Sequence, residues 1–178
     1  MTIIPVENLK IHENCRVCGS KNLIPIISLG SQCLINFTDT SDAVPTAPLE
    51  LLFCDKTNFG CGLLQLKHTV PSDLLYREFW YKSGINQSMR DALQEITNSV
   101  EAMVRLQPND LVLDIGSNDS TLLRSYKTDS LRLIGFEPAE NLMDDANVGT
   151  SRIINNFFNY NDFAENFPNE QAKIITSI

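Results

Sequence analysis

Four cysteines carry the first chemistry that can be read from this chain. Cys15-Arg-Val-Cys18-Gly19 places two thiols three residues apart, and the following glycine permits a tight turn that aims both at one point. Cys54 and Cys61 form a second pair after 35 intervening residues. Four thiolates close a tetrahedral structural zinc site and leave no open position for catalysis. The second pair is looser than a usual knuckle, so Asp55 to Gly60 is expected to bulge outward. A thioredoxin-like redox pair and plain buried cysteines are the alternatives. The redox reading is weak, because that motif opens a helix and here a glycine-rich loop surrounds it. Cys33 is expected to be a buried thiol. His12 and His68 are expected to be surface or satisfied histidines rather than ligands.

A second constellation lies in Val112-Leu113-Asp114-Ile115-Gly116-Ser117-Asn118-Asp119-Ser120. It follows a strand pattern and precedes a helix pattern, the context that gives a glycine motif meaning. Gly116 lets a ligand approach the backbone. Asp114 can accept hydrogen bonds at the strand end. Glu137, 21 residues beyond Gly116, ends the next strand, where an acid suits a ribose diol. A dinucleotide site would want three glycines, and only Gly116 is present. Two acids at adjacent strand ends suit a cationic nucleoside such as S-adenosylmethionine. An ordinary βαβ unit with incidental acids is the alternative.

The elements that must position these residues fall into three segments. Residues 1–70 read as a loop-rich zinc-binding module, with short apolar runs between turn residues and too little apolar sequence for a large core. Residues 71–106 read as a helical connector. Pro71-Ser72-Asp73 opens a short helix over Leu74 to Trp80. Asn86 to Leu106 forms a long one, with Met89, Leu93, Ile96, Val100 and Met103 on one face and Ser88 with Asp91 as a capping pair. From 107 strands alternate with short helices: strands at 111–115, 131–136, 153–158 and 173–178, and helices at 119–126, 139–147 and 162–167. That order implies a parallel sheet with right-handed crossovers. The fold class is therefore α/β, a partial Rossmann-like domain behind the cysteine module.

Composition narrows the classes. The chain has 178 residues, 43% of them hydrophobic and 20% charged, as in a globular protein. Net charge is −8, and −6 of it falls in residues 107–178. No basic stripe can neutralise a phosphate backbone, so nucleic acid is disfavoured as a partner. No apolar run approaches the roughly 20 residues of a membrane span. The N-terminus lacks a signal-peptide pattern, so a cytoplasmic location is expected. Five cysteines, an odd number, argue against a disulfide framework.

With these residues in view, the chain resembles the zinc-containing sugar C-methyltransferases, enzymes that act on nucleotide-linked deoxysugars. The resemblance rests on Cys15-Arg-Val-Cys18-Gly19-Ser20, Leu29-Gly-Ser-Gln-Cys33-Leu-Ile35-Asn36, Pro48-Leu-Glu-Leu51 and Cys61-Gly-Leu-Leu-Gln-Leu66. It continues through Tyr76-Arg-Glu-Phe-Trp-Tyr81-Lys-Ser83-Gly84, Leu113 to Asp119, Gly135-Phe-Glu137-Pro-Ala139 and Phe157-Phe158. It implies a zinc module, a helical connector and a class I methyltransferase domain that uses S-adenosylmethionine. It implies cofactor contacts at Asp114, Gly116 and Glu137, with Asn118 and Phe158 as further candidates. Tyr76, Tyr81 and Ser83 match a segment that closes over cofactor and sugar. The alternative for that segment is a helix packing its aromatics on the core.

Three departures stand out: the wide Cys54–Cys61 spacing, Cys33 in place of proline, and Ser120 in place of glycine. A serine at 120 can cap the following helix or crowd the methionine end of the cofactor. The family domain has seven strands and this chain supplies about four. The resemblance therefore implies a truncated domain, inactive alone, with a nucleotide-sugar substrate in the full-length enzyme. It places the catalytic base in a missing C-terminal part, so no catalytic residue is assigned, and a complementary C-terminal chain is a candidate partner. A free-standing zinc- and cofactor-binding module is the alternative.

Overall fold

The computed structural model describes residues 3–34 and 44–178, with the side chains of Ile3–Pro5 outside the description. Ile35 and Asn36, which end one of the resemblance motifs, lie outside the described residues. The chain divides into two compact units, Met1–Leu75 and Tyr76–Ile178.

The first unit is built on a long hairpin rather than on loops. Strands β3 (Leu23–Cys33) and β4 (Val44–Cys54) pair antiparallel over 11 residues each. Strand β1 (Ile3–Pro5) lies parallel to the start of β4, and β5 (Leu64–Leu66) antiparallel to its end. A two-residue pair, β2 (Lys10–Ile11) with β6 (His68–Thr69), completes the unit. The expectation of a loop-rich segment is corrected here. Pro25, Gly30, Pro45 and Pro48 read as turn residues, yet they sit inside strands whose pairing shifts register at Pro25/Ile27 and Ser28/Ser31. Bulges absorb residues that a regular ladder would reject. The apolar core is small, as expected. Among the described residues its buried hydrophobics are Cys15, Val44, Ala47, Leu52 and Cys54, while Ile24, Ile26, Ile27 and Leu29 of β3 stay exposed.

The second unit begins at the end of a single helical turn, α1 (Asp73–Tyr76). The helix expected to reach Trp80 stops there, and an extended strap follows to Gly84. Helix α2 (Gln87–Met103) is capped by Asn86, whose side chain accepts from the Met89 amide at 2.8 Å, in place of the expected Ser88–Asp91 pair. Leu93 and Thr97 bury its inner face, while Met103, expected on that face, is exposed.

Four strands then form one parallel sheet in the order β10-β7-β8-β9: β7 (Leu111–Ile115), β8 (Arg132–Phe136), β9 (Arg152–Ile154) and β10 (Ile174–Thr176). Crossovers run through α3 (Thr121–Arg124), α4 (Met143–Ala146) and α5 (Tyr160–Asn166). Alternation along β7 divides its side chains. Leu111 and Leu113 pack with Phe163 and Phe167 of the α5 region, and Val112 and Asp114 point to the other face. On that side Gln94 and Thr97 of α2 both donate to the Ser125 carbonyl, at 2.7 and 3.1 Å, fixing α2 to the end of α3. Among the described residues no helix is long and apolar enough to cross a membrane.

Candidate metal centre and cofactor edge

The two cysteine pairs sit on matching turns. The Cys15 N–H donates to Ser20 O and the Gly19 N–H to Cys15 O. In the second pair the Cys54 N–H donates to Leu63 O and the Gly62 N–H to Cys54 O. Each turn closes on a glycine in the left-handed region, Gly19 at φ 74° and Gly62 at φ 82°. The wider spacing of the second pair is absorbed by a 3₁₀ turn over Lys56–Asn58. Asp55 caps it, accepting from the Thr57 amide at 2.9 Å, the Thr57 hydroxyl and the Asn58 side chain. Phe59 at its tip is fully exposed, so the insertion bulges outward as the spacing suggests. Gly60 cannot carry a side chain there: a Cβ would lie 2.5 Å from Asp55 O and 2.7 Å from Cys54 Sγ.

These turns bring Cys15, Cys18, Cys54 and Cys61 together, with all four sulfurs within 4.8 Å of one another. Cys15 and Cys61 are 3.6 Å apart, and Cys18 and Cys54 3.5 Å. A zinc–sulfur distance of about 2.3 Å gives a tetrahedron edge of about 3.8 Å, so the donor set fits the ion. The proton balance fits it as well. The Cys18 amide draws Cys15 down to about 6. The Leu63 amide also favours a Cys61 thiolate, yet burial and the three neighbouring sulfurs outweigh it and push Cys61 up to about 11. Four thiolates repel one another without a cation, and a dication lets all four ionise. Cys33 stays outside the cluster and is exposed, against the expectation of a buried thiol. His12 is held by Thr69 at 2.8 Å, and neither histidine joins the cluster.

The carboxyl edge of the parallel sheet gathers the second constellation. Asp114 is almost fully buried at the end of β7, accepting from the Thr176 hydroxyl at 2.6 Å. Burial pushes its carboxyl up to about 6, and the nearby Glu137 adds to the rise. Glu137 is also buried and raised by desolvation, although the amides of Ala139 and Asn118 oppose the shift. Its two oxygens accept from those amides at 2.8 and 2.7 Å. Each oxygen keeps a further lone pair. Gly116 takes φ 73°, and a Cβ built there meets nothing within 4 Å, so the backbone faces open space. Phe158 stands edge-on to Phe136 with ring centroids 5.1 Å apart and remains 37% exposed.

Tyr76, Tyr81 and Ser83 belong to the strap. Tyr76 contacts Phe157 edge-on at 6.5 Å. The Tyr81 carbonyl accepts from Asn118 Nδ2 at 3.0 Å, and the Ser83 amide donates to Asn118 Oδ1 at 2.9 Å. The Asn118 side chain is thus turned to the strap. Asp119 takes the Gly84 amide at 2.8 Å, and Asn141 takes both the N–H and the C=O of Phe79 at 2.9 Å. Lys82 pairs with Asp145. Thr176 and Asn141 escape sequence reasoning because each acts on a partner 62 residues away. Beside the strap a cleft of 670 Å³ is lined by Lys82, Gln87, Arg90, Asp119, Thr121 and Arg124, among others, and lies apart from Asp114, Gly116 and Glu137.

Ser120 precedes α3 and sets its start at Thr121. It holds φ 63°, a left-handed conformation that glycine adopts freely. It makes no side-chain cap, and its buried hydroxyl has no protein partner. Ser120→Gly is therefore expected to stabilise the second unit by about 1–3 kcal/mol, from relieved backbone strain and removal of an unsatisfied hydroxyl. Urea unfolding checks this, and a loss of stability would show that the hydroxyl is satisfied.

Comparison with known proteins agrees with the cysteine geometry. Residues 15–76 match the family model Methyltransf_13, described as "Putative zinc binding domain". The chain is 27% identical over 139 residues to C-methyltransferase NovU of Streptomyces niveus, covering 76% of this chain and 32% of the relative. It thus spans about a third of the length of the curated relative it matches. The chain is thus similar to a zinc-binding family over its cysteine module and to a C-methyltransferase over the longer shared stretch.

Proposed function

We propose that the chain holds one structural zinc ion on Cys15, Cys18, Cys54 and Cys61, and that the sheet edge of residues 76–178 binds S-adenosylmethionine. The observation that carries the second part is the buried pair Asp114 and Glu137 at adjacent strand ends, beside the open backbone of Gly116. Burial holds Asp114 near 6, a cost that a cationic ligand offsets. A dinucleotide would bring a pyrophosphate to this acidic edge, which the carboxylates oppose. Asp114 and Glu137 would hold the polar groups of the cofactor, and the exposed Phe158 ring offers an apolar surface. Asn118, Tyr81 and Ser83 act through the strap, and Tyr76 lies at its start.

The bound cofactor supplies an electrophilic methyl group. In a complete C-methyltransferase a base would remove a proton beside the ketone of a nucleotide-linked deoxysugar, and the resulting carbon nucleophile would take the methyl as its bond to sulfur breaks, leaving S-adenosylhomocysteine. In this chain Asp114 is held by Thr176 and Glu137 by two amides, so neither buried carboxylate is free to serve as that base. We infer that these 178 residues bind the cofactor without transferring its methyl. The test is incubation with methyl-labelled S-adenosylmethionine and a nucleotide-linked keto-deoxysugar. Label retained on the protein and none in the sugar is expected. Labelled sugar would overturn the inactivity, and no retained label would overturn the cofactor site.

A second reading is a non-catalytic module that acts by associating with a partner chain. Strand β10 favours it: among the described strands only β7 pairs with it, and Ile175 on it is exposed. A chain that supplies further strands could pair along that edge.

A further inference from the structure

The strap crosses from the helical region to the sheet edge with few buried side chains of its own. Trp80 and Tyr76 are about half exposed. Its backbone is nevertheless fixed at successive points. The Glu140 amide donates to Arg77 O at 3.0 Å. Asn141 closes a two-bond clamp on Phe79, and Asn118 a second on Tyr81 and Ser83. Asn118 follows β7 and Asn141 follows β8, so the two clamps lie beyond adjacent strand ends. Each asparagine offers one acceptor and one donor to the strap backbone. An aspartate offers no donor and a serine cannot span both groups.

We propose that Asn118 and Asn141 are positioning residues, whose side-chain amides clamp residues 79–83 in place over the loops after β7 and β8 before any ligand arrives. The proposal rests on the S-adenosylmethionine reading for its consequence, since the strap then forms one wall of the cofactor edge. It assigns Asn118 to the wall rather than to the ligand. It assigns a role to Asn141, whose side chain bonds only Phe79 among the described residues. Preorganisation of this kind raises affinity by removing an ordering cost at binding.

The test uses the chain's one tryptophan, Trp80, which lies inside the clamped segment. In Asn141→Ala, acrylamide quenching of Trp80 is expected to rise at least about twofold, and calorimetric affinity for S-adenosylmethionine to fall about tenfold, as an ordering cost returns. Far-ultraviolet circular dichroism and zinc content should stay at the wild-type level. Asn141→Asp keeps the acceptor for the Phe79 amide and loses the donor, and should fall between. It also decides the matter if the alanine variant fails to fold. Unchanged Trp80 quenching in folded variants would overturn the clamp. Increased quenching with unchanged affinity would overturn the positioning role. A wild-type chain that ignores S-adenosylmethionine would overturn the cofactor reading, and with it the positioning role, while Trp80 still reports on the clamp itself.

Discussion

Removing zinc is expected to unfold residues 3–34 and 44–75 while the parallel sheet of the second unit persists. The first unit has almost no other source of stability. Among the described residues, two of its five buried hydrophobics are the ligands Cys15 and Cys54. The long strand β3 is exposed along nearly its whole length. Domains of this size rarely stabilise themselves by burial alone. Zinc held by four thiolates contributes roughly 10–16 kcal/mol in small zinc peptides at neutral pH, more than a hairpin of this kind can replace. Chelation followed by hydrogen exchange should expose the amides of Cys15, Gly19, Cys54 and Gly62 first, since their bonds form the two turns. The amides between β7 and β8 should remain protected. Cys54→Ser should behave like chelation, because Cys54 is fully buried and a hydroxyl is a poor zinc ligand. Protection that survives verified metal loss would contradict a structural role for the site. Affinity should also weaken with acid, because binding displaces protons, chiefly from Cys54 and Cys61, whose thiols sit above their usual range.

The second large effect is set against stability. Asp114→Asn should abolish measurable cofactor binding yet remove the pH dependence that Asp114 contributes to folding. The folded carboxyl titrates near 6, above the ordinary value of 3.8. Between pH 4 and 6 the unfolded chain has therefore released this proton while the folded chain still holds it. The Asp114 contribution to stability consequently falls as pH rises through that window, and the loss is complete above it. A rise from 3.8 to about 6 corresponds to about 3 kcal/mol at neutral pH. Asn at 114 retains an acceptor for the Thr176 hydroxyl and carries no charge. The difference in melting temperature between variant and wild type should thus shift in favour of the variant between pH 4 and 6 and level off near 7. Comparing the two proteins cancels Glu50, Asp55 and Glu101, whose lowered values tilt the profile the other way. A constant difference across that range would show that Asp114 is not held in its protonated form.

Much of this architecture is legible in the residue pattern. Val112 and Leu113 before Asp114 and Gly116, and Ile134 to Phe136 before Glu137, mark strands and their carboxyl ends. The sheet forms where those runs place it. The four zinc-site cysteines are legible because two spaced pairs of thiols with following glycines have few other uses. The β3–β4 hairpin is not legible, because its strands carry proline and glycine that local rules assign to turns. Only the register shifts, a property of two strands together, make room for them. The end of α1 at Tyr76 has the same kind of cause. Leu74 to Trp80 favours a helix locally, yet the Phe79 backbone is taken by Asn141, 62 residues away. Ser120 shows the reverse: its departure from glycine is visible in the sequence, while its orphaned hydroxyl and left-handed backbone are visible only in the fold.

The central claim is that the edge bearing Asp114, Gly116 and Glu137 takes a cationic nucleoside in preference to a dinucleotide. Calorimetric titration of the zinc-loaded chain with S-adenosylmethionine, and separately with NAD, tests it most directly. The account predicts saturable binding of one S-adenosylmethionine per chain, lost in Asp114→Asn, and no binding of NAD. Absence of heat and of thermal shift with S-adenosylmethionine at millimolar ligand, or tighter binding of NAD, would contradict it.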